Sequence, residues 1–178
     1  KLASKINART KLVILNSPHN PTGSVMSRED IKSLSDILGN NEHTHILSDE
    51  IYKHIVYNKK HRSIASIGNL ASRTIILDGF SKTYAMTGWR LGYGVFPKYL
   101  VPHITKLIAN SVSCTSSFTQ IAAIQALTGT QLPVTDMVNK FRVRRNLIVK
   151  GLQKIKGINC PKPDGAFYVF PNISETGM

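Results

Sequence analysis

The chain has 178 residues, 42% hydrophobic and 19% charged, with 12 Gly, 8 Pro and 2 Cys. That length and mixture suit one domain, or one and a part, with enough mass to bury a real core; they exclude collagen, a disordered acidic tail and a disulfide-built miniprotein. The formal net charge of +13 raises the question of a nucleic-acid partner, which its distribution along the chain answers below.

Short apolar runs alternate with amphipathic stretches, the pattern of an α/β protein. Residues 11–15 (KLVIL) read as a buried strand, followed by the Pro/Asn/Gly loop 16–23 (NSPHNPTG). Ser27-Arg28-Glu29-Asp30 has the form of a capping box opening a helix through Leu38, with Ile31, Leu34, Ile37 and Leu38 on one face and Gly39-Asn40-Asn41 as its stop. Residues 45–47 predict a short strand ending in Ser48-Asp49-Glu50, residues 73–77 another ending in Asp78-Gly79, and residues 91–96 a fourth. Only residues 79–90 separate the last two, with no clear helix between, so an antiparallel return fits better than a parallel crossover.

Beyond Pro97 the period turns helical, near 98–111, 118–127 and 135–156. Pro102 disturbs the start of the first of these, and Gly157 is the expected stop of the third. The tail, residues 158–173, reads as short strands around the turn Pro163-Asp164-Gly165. A composition shift near 130–135 divides the chain into residues 1–133 and 134–178.

The whole charge excess lies in residues 51–178, densest from Lys140 to Lys162, where Arg142, Arg144, Arg145, Lys150, Lys154 and Lys156 fall on the long helix. No zinc-finger spacing or aromatic RNA-binding motif accompanies it, so the reading is a solvated helix surface and not a nucleic-acid site. No apolar run approaches the roughly 20 residues of a membrane-spanning helix, and nothing at the N-terminus reads as a signal peptide. Cys114 and Cys160 are expected to be buried or inert thiols, and the six histidines show no metal spacing; a soluble protein of the cytoplasm is the expectation.

The chemistry gathers at strand ends. Asn16–Gly23 follows the first strand, Asp49-Glu50-Ile51-Tyr52 the second and Ser81-Lys82 the third, and in open α/β sheets ligands bind outside the carboxyl ends of the strands. An antiparallel fourth strand brings Arg90 to the same rim. A lysine there is a candidate amine nucleophile, a carboxylate suits a protonated heterocyclic nitrogen, and an arginine suits a phosphate. Tyr and Asn can hydrogen-bond a phenolic oxygen. Aldehyde, pyridinium, phenolate and phosphate together describe pyridoxal 5'-phosphate. The plainer readings are Asp49 as a helix cap, Tyr52 as a core tyrosine, Asn20 as a turn residue and Arg90 stacked on Trp89.

Residues 16–23 (NSPHNPTG), 48–52 (SDEIY) and 81–93 (SKTYAMTGWRLGY), in that order and spacing, resemble the class I/II aminotransferases of the fold-type-I pyridoxal-phosphate enzymes; residues 165–170 (GAFYVF) resemble their small-domain strand. The resemblance implies a three-layer α/β fold on a mixed, mostly parallel sheet. Residues 1–133 would be part of the large cofactor-binding domain, and 134–178 the interdomain helix and the beginning of a small α+β domain. It implies that Lys82 forms the Schiff base and shuttles a proton, and that Asp49 keeps the pyridine nitrogen protonated. Tyr52 and Asn20 would bond the phenolic oxygen and Arg90 clamp the phosphate; the Asn20–Pro21 bond would be cis. Relatives often carry a hydroxyl three residues before the lysine, where this chain has Gly79, so Ser81 is a substitute candidate. Such proteins are about twice as long, so the chain is expected to be a fragment, lacking the N-terminal and C-terminal parts of the site and inactive alone. They act on amino-acid and 2-oxo-acid substrates as homodimers. Two alternatives stay open: a lyase using the same cofactor, either aminocyclopropane-carboxylate-synthase-like or a carbon–sulfur lyase, and a non-catalytic basic binding module.

Overall fold

Four strands form one sheet in the order β1 (Leu12–Asn16), β2 (His45–Asp49), β3 (Thr74–Gly79) and β4 (Gly92–Val95). The coordinates are a computed structural model describing residues 2–177; Lys1 and Met178 lie outside the described residues. β1–β2 and β2–β3 are parallel and β3–β4 is antiparallel, as the short 79–90 connection predicts. Asn16, Asp49 and Leu77 stand side by side in the register, so the three parallel strands end on one rim.

Alternation divides the sheet. Val13, Ile46 and Thr74 share one face. Val13 and Ile46 pack there with Ile31 and Leu38 of helix α1 (Arg28–Gly39) and with Ile64 and Leu70 from the β2–β3 connection. On the other face Ile14, registered with Leu47, is 68% exposed, so no described residue covers that end of the sheet.

The capping box forms as read. Ser27 Oγ accepts from Asp30 N–H (3.0 Å) and Asp30 Oδ2 accepts from Ser27 N–H (2.9 Å), satisfying two donors of the first turn. At the other end the Arg73 guanidinium donates to the carbonyls of Leu38 (2.5 Å), Asn41 (2.9 Å) and Thr44 (2.5 Å), tying helix end, loop and strand entrance together.

Residues 79–90 contain a one-turn helix, α2 (Phe80–Thr83), and a 3-10 turn at Thr87–Trp89. Neither is long enough to show an amphipathic period. A 3-10 turn leads into α3 (Val101–Ser111), whose Pro102 sits in the first turn, where a missing N–H costs nothing. α4 (Ser117–Thr128) follows.

The third predicted helix is shifted. α5 runs Leu132–Leu152 rather than 135–156: Pro133 occupies its first turn, and residues 153–157 continue as turns to Gly157 at φ +81°. The tail also departs from expectation. Residues 158–173 form no strand, only the bridges Val56↔Gly165 and Asn159↔Asn172. A strand needs a ladder, and here the backbone of the tail is bonded to loops: Asp164 and Gly165 N–H both reach the Gly23 carbonyl (2.9 Å), Tyr57 N–H reaches Asp164 O and Ala166 N–H reaches Ile55 O. Tyr52, Ile55, Tyr57, Val138 and Ala166 form a second buried cluster uniting the segment after β2, α5 and the tail. Among the described residues no helix is long and apolar enough to cross a membrane.

Candidate functional site

The site is built from the β2 exit outward. Asp49 ends β2, and its Oδ1 accepts from Ile51 N–H (3.2 Å), so the carboxylate does turn the chain as the capping role requires. That bond leaves its second oxygen for other work. No described Lys, Arg or His forms an ion pair with Asp49.

Three residues on, Tyr52 is 3% exposed, yet its hydroxyl is bonded to Tyr168 Oη (2.5 Å) and to the Asn20 side chain. Its ring meets Phe167 and Tyr168 edge-on, with centroids 5.3 and 5.7 Å away. Burial raises the Tyr52 phenol well above its ordinary range, helped by the Tyr168 hydroxyl and the nearby Asp49 charge and opposed by Asn20. Tyr52 is therefore a protonated donor at any physiological pH.

Asn20 is carried by the loop after β1. Asn16 Nδ2 donates to the Asp49 carbonyl (3.2 Å) while Asn16 Oδ1 accepts from Asn20 N–H (2.8 Å), so one amide fastens the loop to the β2 end. Asn20–Pro21 is cis as expected, and so is Ser17–Pro18.

Lys82 projects from α2. Its Nζ lies 5.9 Å from the Tyr52 ring centroid and 5.8 Å from that of Phe167, and no described carboxylate pairs with it. Ser81 makes no side-chain hydrogen bond among the described residues. Arg90 is exposed in the left-handed region (φ 54°), its Nη1 donating to Thr87 O (2.9 Å). The plainer alternative, a stack on Trp89, does not form. Arg90 reaches the Lys82 neighbourhood through the backbone: Phe80 N–H bonds Leu91 O (3.4 Å). The structure thus brings Asn20, Asp49, Tyr52 and Lys82 together, sets Arg90 at the edge and leaves Ser81 half-buried, with no side-chain hydrogen bond among the described residues.

The glycine before α2 has a packing reason. A Cβ on Gly79 would lie 3.0 Å from Gly92 Cα and 3.2 Å from Leu91 O, so a hydroxyl-bearing residue there would push β4 away. Phe167 and Tyr168 were missed as site residues because GAFYVF reads as a strand; its aromatic run was the available signal. Cys160 is buried and burial raises its thiol; Cys114 is exposed, with no disulfide partner among the described residues. His43 reaches Asn7 O, His45 the Tyr99 hydroxyl and His61 the Glu50 carboxylate (3.0 Å). Among the described residues no three of His, Cys, Asp and Glu converge as a metal site.

Comparisons with known proteins cover nearly the whole chain. The family described as aminotransferase class I and II matches residues 1–177. A probable aspartate aminotransferase of Methanocaldococcus jannaschii is 45% identical over 183 residues, covering 99% of this chain and 47% of that protein. The aspartate aminotransferase of Geobacillus stearothermophilus is 44% identical over 177 residues, covering 98% and 45%. Among solved structures, the aspartate aminotransferase of Rhizobium meliloti superposes with TM-score 0.94 at 39% identity, covering 98% of this chain and 44% of that one. An aromatic aminotransferase of Pyrococcus horikoshii gives 0.93 at 39%, covering 99% and 48%. The chain spans about half the length of the curated relatives it matches.

Proposed function

The chain belongs to the class I and II aminotransferases, and from that premise we propose that the protein containing it is a pyridoxal-phosphate-dependent aminotransferase taking its amino group from aspartate and giving it to a 2-oxo acid. Aspartate is favoured because the curated relatives carry that name. The observation that carries the reading is the placement of the Lys82 amine 5.9 and 5.8 Å from the rings of Tyr52 and Phe167, with no described acid paired to it.

The donor set fits the cofactor. Bound there, pyridoxal phosphate supplies an aldehyde for the amine and a ring that withdraws electrons from the α-carbon. Lys82 moves the proton at the substrate α-carbon. Asp49, with no cationic partner among the described residues, would hold a proton on the pyridine nitrogen. Tyr52, kept protonated, donates to the phenolic oxygen beside the Asn20 amide, and Arg90 binds the phosphate. Ser81 is the weaker phosphate candidate. In this reading residues 1–133 belong to the cofactor-binding domain, and 134–178 to the interdomain helix and the beginning of the small domain. The intact protein is a cytoplasmic homodimer; exposed Phe118, Ile121 and Ile124 on α4 support a covered face there.

The test is a titration of the intact protein with pyridoxal phosphate, followed by borohydride reduction and mass mapping. The label belongs on Lys82 and is lost in Lys82→Ala. Aspartate with 2-oxoglutarate should then yield oxaloacetate and glutamate faster than alanine or phenylalanine reacts. Release of ammonia and a 2-oxo acid without transfer would establish a lyase, and absence of visible absorption in the wild type would refute the cofactor assignment.

A further inference from the structure

The elements that carry Tyr52, Lys82 and Arg90 meet a second time, through residues to which the motifs assign no role. Asp78 is the penultimate residue of β3, its side chain 3% exposed. Its Oδ1 accepts from the N–H of Gly79, the residue from which α2 and hence Lys82 depart (2.7 Å). Its Oδ2 takes Lys53 Nζ (2.5 Å) and the Tyr93 hydroxyl (2.6 Å). Lys53 directly follows Tyr52, and Tyr93 stands three residues past Arg90. Asp78 and Tyr93 are register partners on β3 and β4, on the sheet face opposite Asp49 and Leu77. Phe80, two residues before Lys82, lays its ring 5.9 Å from that of Tyr93.

We propose that Asp78, Lys53 and Tyr93 are positioning residues: one buried carboxylate on the far face of the sheet fixes the segments of Tyr52, Lys82 and Arg90 against one another. The inference rests on the cofactor reading above.

The chemistry favours geometry over stability as the product of this cluster. A buried ion pair gains little net stability over apolar residues of the same volume, because both charges lose their water. Three hydrogen-bonded directions from one carboxylate, however, specify distances that apolar packing does not. A group displaced by about 1 Å costs an enzyme about 100-fold in turnover, and each of the three site residues lies within four positions of a member of the cluster.

The experiment uses the intact protein with Asp78→Asn, Tyr93→Phe and the double variant Lys53→Met/Asp78→Leu. For each, the dissociation constant of pyridoxal phosphate, the melting temperature without cofactor, and kcat and KM for the amino acid are measured. Asp78→Asn puts an NH2 group toward two donors; its cofactor dissociation constant should rise about 10-fold and kcat fall about 100-fold with KM little changed. The double variant, lacking both charges, should regain most of the melting temperature and neither the cofactor affinity nor kcat. Tyr93→Phe, which deletes one hydroxyl, should lose affinity and kcat in the same sense and carries the test if Asp78→Asn does not fold. Affinity and kcat within about twofold of wild type in Tyr93→Phe and the double variant would overturn the proposal. So would losses that vanish as the melting temperature is restored, which mark a merely structural cluster. A wild type that takes no cofactor overturns the functional reading and this inference together; a wild type that takes it beside unaffected variants overturns this inference alone.

Discussion

Gly23→Ala is the perturbation that most directly tests how the tail reaches the site. Gly23 sits at φ +67°, and a Cβ there would fall 2.3 Å from Pro163 Cβ and 2.8 Å from the Gly165 carbonyl oxygen. Its own carbonyl holds the N–H groups of Asp164 and Gly165. The left-handed backbone costs a residue with a side chain about 1–2 kcal/mol, and an overpacked contact about 1–3 kcal/mol more. Neither neighbour can yield cheaply: Pro163 is a ring, and the Gly165 carbonyl is backbone, in a segment already bonded to the Gly23 carbonyl through Gly165 N–H. The expected loss is about 2–5 kcal/mol. Gly39→Ala is the internal control, since nothing lies within 4 Å of its would-be Cβ at the end of α1, and a gain of about 0.4–1 kcal/mol follows from the less flexible unfolded chain. Urea unfolding of the intact protein, followed by circular dichroism at constant m, reads both. Stability of Gly23→Ala within about 0.5 kcal/mol of wild type would refute the seating of the 163–165 turn on the first loop.

Three further outcomes follow from the same geometry. Burial pushes the Glu50 carboxyl up, but hydrogen bonds from His61, Ser63 and Ser48 and the His61 charge outweigh it and hold it below the ordinary value of 4.5. A depressed folded value means stabilisation fully present above pH 4.5 and lost as the pH falls through it; Glu50→Gln should flatten the acid side of a melting-temperature profile. At neutral pH the same substitution should cost about 1.5–3 kcal/mol by thermal denaturation. Arg73→Met deprives three carbonyls of their donor and should cost about 2–4 kcal/mol, with faster amide exchange confined to the end of α1 and the turn before β2. Ser27→Ala removes half of the capping box and should cost about 1 kcal/mol, with exchange accelerated in the first turn of α1.

What could be read from the chain tracks how local its physics is. The capping box at Ser27 and Asp30 needs only its own four residues, and it forms as spaced. Strand ends were legible because apolar runs stop at polar residues, and the antiparallel return followed from the shortness of 79–90 alone. α2 has one turn and no period to read. The start of α5 moved because Pro133, a breaker in mid-helix, is favourable in a first turn. The tail has the apolar run of a strand but is used otherwise: Phe167 and Tyr168 face Tyr52 and Lys82, and its backbone donors go to Gly23 and Ile55.

The site obeys the same division. Asp49, Tyr52 and Lys82 were legible because each ends a strand or follows one closely, where side chains are released from the ladder toward the rim. Lys53, Asp78 and Tyr93 were not, since their meeting depends on the β3–β4 register and the turn after β2, which no single motif encodes. Alternation puts Asp78 and Tyr93 on the face opposite Asp49 and Leu77, so the carboxylate that meets Lys53 and Tyr93 lies behind the rim that carries Asp49. If that cluster positions the site as proposed, the spacing of the reactive groups depends on the reverse side of the sheet. Motif residues alone, grafted onto another sheet, would therefore carry the chemistry without its distances.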